Sequence, residues 1–79
     1  MNYSYQEKIK SEIIKCSILI ISLLLTKYKS KEIEIIDFKN HTINKINYII
    51  NNLDAIKDTI DIDVVEDLIN ECNEIYNSN

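Results

Sequence analysis

His41 is the only histidine in the chain, and Asp37 stands four residues before it, so on a helix the carboxylate and the imidazole share one face. Such a pair can orient an imidazole for proton transfer or metal binding. A working site also needs a nucleophile or further ligands, and no residue supplies one at a recognisable spacing. Cys16, Cys72 and His41 carry metal-ligating atoms, but neither the CxxC nor the HxxxH spacing of a zinc site is present. Both cysteines fall within apolar helical patterns and read as small core residues. Asp58, Asp61, Asp63, Glu66 and Asp67 form an acidic cluster, yet the glycine that a calcium-binding EF-hand loop requires is missing from the chain. Helix capping and a solvated acidic corner account for those carboxylates. No catalytic, cofactor or metal site is expected.

Seventy-nine residues make a single helical domain over 1–79, small enough to be marginally stable alone. Oligomerisation is one route to extra stability. The net charge of −4 and the absence of arginine argue against nucleic acid as a partner, because duplex binding rests on clustered Lys and Arg. Acidity fits a basic protein partner and fits plain solubility equally well. The start MNYSYQEKIK has no signal-peptide arrangement, and free thiols fit a reducing, cytoplasmic setting. Gly, Pro and Arg are absent and Ala55 is the only alanine, while Ile, Asn and Lys abound. Those biases follow codon GC content and suggest an AT-rich genome, that of a low-GC bacterium or of a virus or phage and its host.

Without Gly or Pro, turns must come from Asn, Asp, Ser and Thr, which favours helices joined by short polar connections. An all-α bundle of three helices is predicted, or of four if the second breaks near Asn40. Ser4 and Glu7 have capping-box spacing, so the first helix is expected from about Tyr5 to Tyr28. The second is expected from Lys31 to Asp58, capped by Ser30, with an apolar arc of Ile35, Ile36, Ile43, Ile46, Ile49, Ile50, Leu53, Ile56 and Ile60 and with Ile33 outside it. The alternation from Glu32 to Ile35 also permits a short strand. Asp61 can cap the third helix, with Ile60 and Val65 placed as a hydrophobic staple, and Asp63 with Glu66 offers a rival register. Val64, Val65, Leu68, Ile69, Cys72, Ile75 and Tyr76 then fall on one arc.

Helix 1 is the central element because it is apolar on two sides. Ile9, Ile13, Cys16, Ile20, Leu23 and Leu24 form one seam, and Ile14, Ile18, Ile21, Leu25 and Tyr28 a second, leaving a narrow polar wedge of Ser11, Lys15, Ser22, Thr26 and Lys29. The first seam is the expected internal core. The second is the expected oligomer interface, unless helices 2 and 3 cover one seam each. The uncharged run from Cys16 to Thr26 is far short of the roughly 20 residues of a membrane span.

A further candidate surface is the outer face of helix 2, where Asp37, His41, Asn44, Tyr48, Asn51 and Ala55 fall at three- and four-residue steps. Tyrosine is favoured at protein interfaces because it joins apolar area to a hydrogen-bonding tip. The Asp-Ser-Leu attachment sequence of acyl carrier proteins, which share this length and acidity, is absent: Ser30 sits in Lys29-Ser30-Lys31. The expectation is a non-enzymatic interaction module. It would form a homodimer and bind and modulate or inhibit a protein partner, in the manner of inhibitors from mobile elements or viruses. The alternative is a peripheral membrane-associated, immunity-type protein docking through helix 1.

Overall fold

The computed structural model describes the backbone of residues 2–78 and the side chains of residues 5–78. It contains three helices: α1 (Asn2–Lys29), α2 (Ile35–Asn51) and α3 (Ile62–Asn77), with a 3-10 turn at Leu53–Ala55. No strand occurs among the described residues. The long α1 sets the shape, since a 28-residue helix is about 42 Å long at 1.5 Å per residue and the molecule measures 45 × 19 × 17 Å.

The helix α1 begins at Asn2, ahead of the Ser4–Glu7 box, and the side chain of Ser4 lies outside the described residues. Its end is closed by a Schellman turn. Glu32 N donates to the Lys27 carbonyl at 2.9 Å and Lys31 N to the Tyr28 carbonyl at 3.0 Å, satisfying two carbonyls the helix would otherwise orphan. The geometry puts Lys31 at φ 63, in the left-handed region that glycine occupies freely and a residue with a Cβ does not. A Lys31→Gly variant is therefore expected to gain roughly 0.5–1 kcal/mol, the relieved strain less the added freedom of the unfolded chain. Thermal unfolding followed by circular dichroism would register this as a rise of a few degrees in Tm.

The same turn consumes residues 30–34, which is why Ser30 does not cap α2 and why neither the early helical start nor the short strand forms. Glu34 occupies the N-cap position with no side-chain bond, while Asp37 supplies negative charge in the first turn. The helix runs unbroken through Asn40, His41 and Thr42, so the four-helix alternative does not arise. It stops at Asn52, whose side-chain amide donates to the Tyr48 carbonyl at 2.9 Å, well before Asp58. At α3 the expected cap is realised: the Asp61 carboxylate accepts from Asp63 N at 2.9 Å.

The core is a single cluster. From α1 it takes Ile14, Ile21 and Leu25; from α2 Phe38, Ile46 and Ile49; then Ile56; and from α3 Val65, Ile69 and Cys72. This inverts the expected roles of the two α1 seams. Ile14, Ile21 and Leu25 are buried, and Ile18 and Tyr28 are partly buried against the core, so these five residues form the inner seam. The seam expected inside, Ile9 to Leu24, is the one exposed, and of its members only Leu24 packs partly on the core.

Helices α2 and α3 share the inner seam instead of covering one each. Ser11 and Ser17, one at each edge of that seam, are buried, and their small side chains let the neighbouring chain come close to the α1 backbone. Ser11 thereby leaves the polar wedge, with its hydroxyl unpartnered among the described residues.

Two further corrections concern α2. Its buried line is Phe38, Thr42, Ile46 and Ile49, so the expected arc was centred too far toward Ile36 and Ile50, both of which are exposed. Ile33, expected outside, packs against the core. On α3 the arc holds, apart from the exposed Val64.

Candidate interaction surface

The residues with chemical potential do not converge. Asp37 and His41 are both exposed, and no hydrogen bond or ion pair joins them among the described residues; the His41 carbonyl instead accepts from Lys45 Nζ at 3.1 Å. Among the described residues no group of three or more His, Cys, Asp or Glu is arranged to hold a metal ion. Cys16 is exposed on the outer side of α1, which corrects its reading as a core residue, whereas Cys72 of α3 is buried in the core as expected, so the two thiols are kept apart. A depression of about 530 Å³ opens beside the α1–α2 turn between Tyr28, Lys29, Lys31, Ile33, Glu34 and Ile35. It contains no histidine or cysteine.

Burial pushes the Cys72 thiol up to about 11 from its ordinary 9.0, with Glu71 adding to the rise and Lys29 opposing it. A folded-state pKa above the unfolded one means that the native protein holds its proton longer. The contribution of Cys72 to stability is therefore expected to be constant below about pH 9 and to fall between pH 9 and 11, where the unfolded thiol ionises first. The two thiols should also differ in reactivity, because attack requires an accessible thiolate. In a thiol-reagent titration of the native protein, Cys16 is expected to react at once and Cys72 only on denaturation. Prompt reaction of both would contradict the buried position of Cys72.

The polar heart of the core lies where α2 meets α3. Thr42 Oγ1 donates to the Phe38 carbonyl at 2.7 Å and is hydrogen-bonded to the Tyr76 hydroxyl. Burial raises the pKa of Tyr76, partly offset by this bond. Phe38 stands between two tyrosines, its ring centroid 5.3 Å from that of Tyr28 and 5.9 Å from that of Tyr76. The three rings tie one helix to the next, and Lys29 pairs with Glu71 at the same end.

The candidate face on α2 is not one surface. Asp37, His41, Asn44 and Asn51 are exposed, but Tyr48 and Ala55 pack partly against the core. Because α2 ends at Asn51, Ala55 belongs to the 3-10 turn and leaves the stripe. The aromatic anchor expected for a partner is thus partly engaged within the chain.

What remains is the outer side of α1. Ile9 is 43 % exposed, Ile13 44 %, Leu19 71 %, Ile20 43 % and Leu23 56 %, with Cys16 and Tyr5 exposed among them. At 100° per residue these side chains lie on the side of the helix turned away from Ile14, Ile21 and Leu25. Isolated apolar residues on a surface are ordinary, whereas a contiguous stripe of this length makes this side of α1 the candidate interaction surface. Leu19 shows a signal visible in the sequence: it lies outside both seams and widens the outer one. No helix among the described residues is long and apolar enough to cross a membrane. Comparison of the chain with protein-family models, with characterised proteins and with solved structures returns no match.

Proposed function

We propose that this chain is a non-enzymatic protein-interaction module whose working surface is the outer stripe of α1. The observation that carries the reading is the stripe itself, five large aliphatic side chains between 43 % and 71 % exposed on one side of a helix whose other side anchors the core. The small bundle holds α1 straight and presents it pre-formed, which lowers the ordering cost of binding. Charge gives the molecule a second character. The helix α1 carries five lysines against two glutamates, whereas residues 30–79 carry four lysines against eleven carboxylates. An apolar stripe on a pre-formed helix suits a module that engages a protein partner and modulates or inhibits it.

The test is capture by the tagged protein from its native host, comparing wild type with a Leu19→Glu, Leu23→Glu variant. Both positions are exposed, so the variant is expected to keep its helical circular dichroism and to lose whatever the wild type retains. Unchanged capture by a folded variant would remove the stripe from the function.

A further inference from the structure

We propose that the occupant of the stripe is a second copy of this chain, the two α1 helices pairing in parallel with Cys16 of one copy against Cys16 of the other. The inference rests on the reading of the stripe as the working surface and adds what covers it.

The first argument is periodicity. Ile9, Ile13, Cys16, Ile20 and Leu23 are spaced four, three, four and three residues apart, the alternation that keeps one seam of a helix facing a partner helix. The chain's own core uses Ile14, Ile21 and Leu25, which lie outside this repeat and leave every seam position free. Assigning Ile13 and Ile20 to the a positions puts Ile9, Cys16 and Leu23 at d. Isoleucine at a combined with leucine at d favours two parallel strands, a pattern that Ile20 and Leu23 meet, while Cys16 makes the central d layer a small one.

Orientation is further favoured by the flanks. In a parallel pair, a g residue meets the e residue five positions later on the other helix, which sets the exposed Leu19 against the half-buried Leu24. An antiparallel pair would instead bring Lys10 onto Leu24 and oppose leucine only to itself. The next a positions are Gln6 and Lys27, so the apolar seam stops at two polar layers, and a slip by one heptad would set Gln6 against Ile13 and Lys27 against Ile20.

The area is sufficient. Including Tyr5 and Cys16, the stripe offers on the order of 600 Å² per copy, or roughly 1,200 Å² for two, where specific interfaces begin. Two heptads are too short to hold free helices together, but here each helix is already fixed by its own bundle. A bilayer is the rival occupant, since interfacial helices border their apolar face with Lys and Arg and Lys8 and Lys15 stand at one edge of the stripe, but Glu12 stands there too and pairs with Lys15 at 3.4 Å.

Sedimentation equilibrium under reducing conditions is expected to give a dimer at tens of micromolar. Ile20→Lys should weaken association by about a hundredfold or more without loss of helicity, since it buries two ammonium groups in one layer. Treatment with diamide, which accepts the two thiol hydrogens as the S–S bond forms, should crosslink wild type and Cys72→Ala but not Cys16→Ala. Ile20→Lys should crosslink at the far slower rate of chance collision. A wild-type monomer overturns the proposal, as does a dimer indifferent to Ile20→Lys, or one that diamide does not crosslink. Binding of a monomer to vesicles containing anionic lipid, lost in Ile20→Lys, assigns the stripe to a bilayer and overturns it too. A monomer whose capture of a host protein is abolished by Ile20→Lys overturns the dimer while leaving the interaction reading intact.

Discussion

Ile21→Glu is expected to abolish folding, whereas Ile20→Glu, one residue earlier, is expected to leave the monomer's fold intact. Ile21 is fully buried against residues from the other elements of the core. A carboxylate there loses roughly 1.5–3 kcal/mol of apolar burial and adds the cost of an uncompensated buried charge, several kcal/mol more. A domain of this size has only about 4–12 kcal/mol to lose. At position 20 the glutamate replaces a side chain that is 43 % exposed on the outer stripe, where its charge stays in water. Far-UV circular dichroism and urea unfolding in dilute solution, below the concentration at which copies associate, separate the two outcomes. If Ile20→Glu unfolded the chain and Ile21→Glu did not, the two seams would have the opposite roles.

Phe38→Ala is expected to cost about 3–5 kcal/mol, the range for truncating a buried aromatic and a large share of the stability of a domain this size. Phe38 is completely buried, and its ring is the middle one of three, so the truncation breaks the contacts with both Tyr28 and Tyr76. Each aromatic pair adds about 0.5–1.5 kcal/mol beyond area burial. The loss should also free the two tyrosines, visible as a collapse of the near-UV circular dichroism at temperatures where residual helix persists. Phe38→Leu, which keeps much of the volume, should be milder in unfolding midpoint. A Phe38→Ala variant of wild-type stability would mean that the rings are not the joint between the helices.

Local signals in the sequence were read well where they rest on short-range chemistry. The Asp61 cap and the arc of α3 from Val65 to Tyr76 appear where the residues place them, because a cap and a one-sided apolar arc are decided within a few residues. The limits of α2 were less legible. The turn that closes α1 needs a left-handed residue, and in a chain with no glycine Lys31 fills that role without announcing it. The buried line of α2 was obscured by isoleucine in excess: Ile36 and Ile50 widened the apparent arc and drew attention from Phe38 and Thr42.

An all-helical chain, the capped start of its third helix and a first helix apolar on two sides all follow from the order of residues alone. Which of those two sides faces inward was decided only by the tertiary structure. Hydrophobic burial is non-directional, and either seam offers comparable apolar area. The choice depends on the fit of surfaces brought together from distant parts of the chain. Ser11 and Ser17 allow close approach along the Ile14, Ile21 and Leu25 seam, and Tyr28 at its end meets the Phe38 ring, which in turn meets Tyr76. With both remaining helices gathered on that side, the Ile9 to Leu23 stripe is left facing out, and the candidate function moves to it.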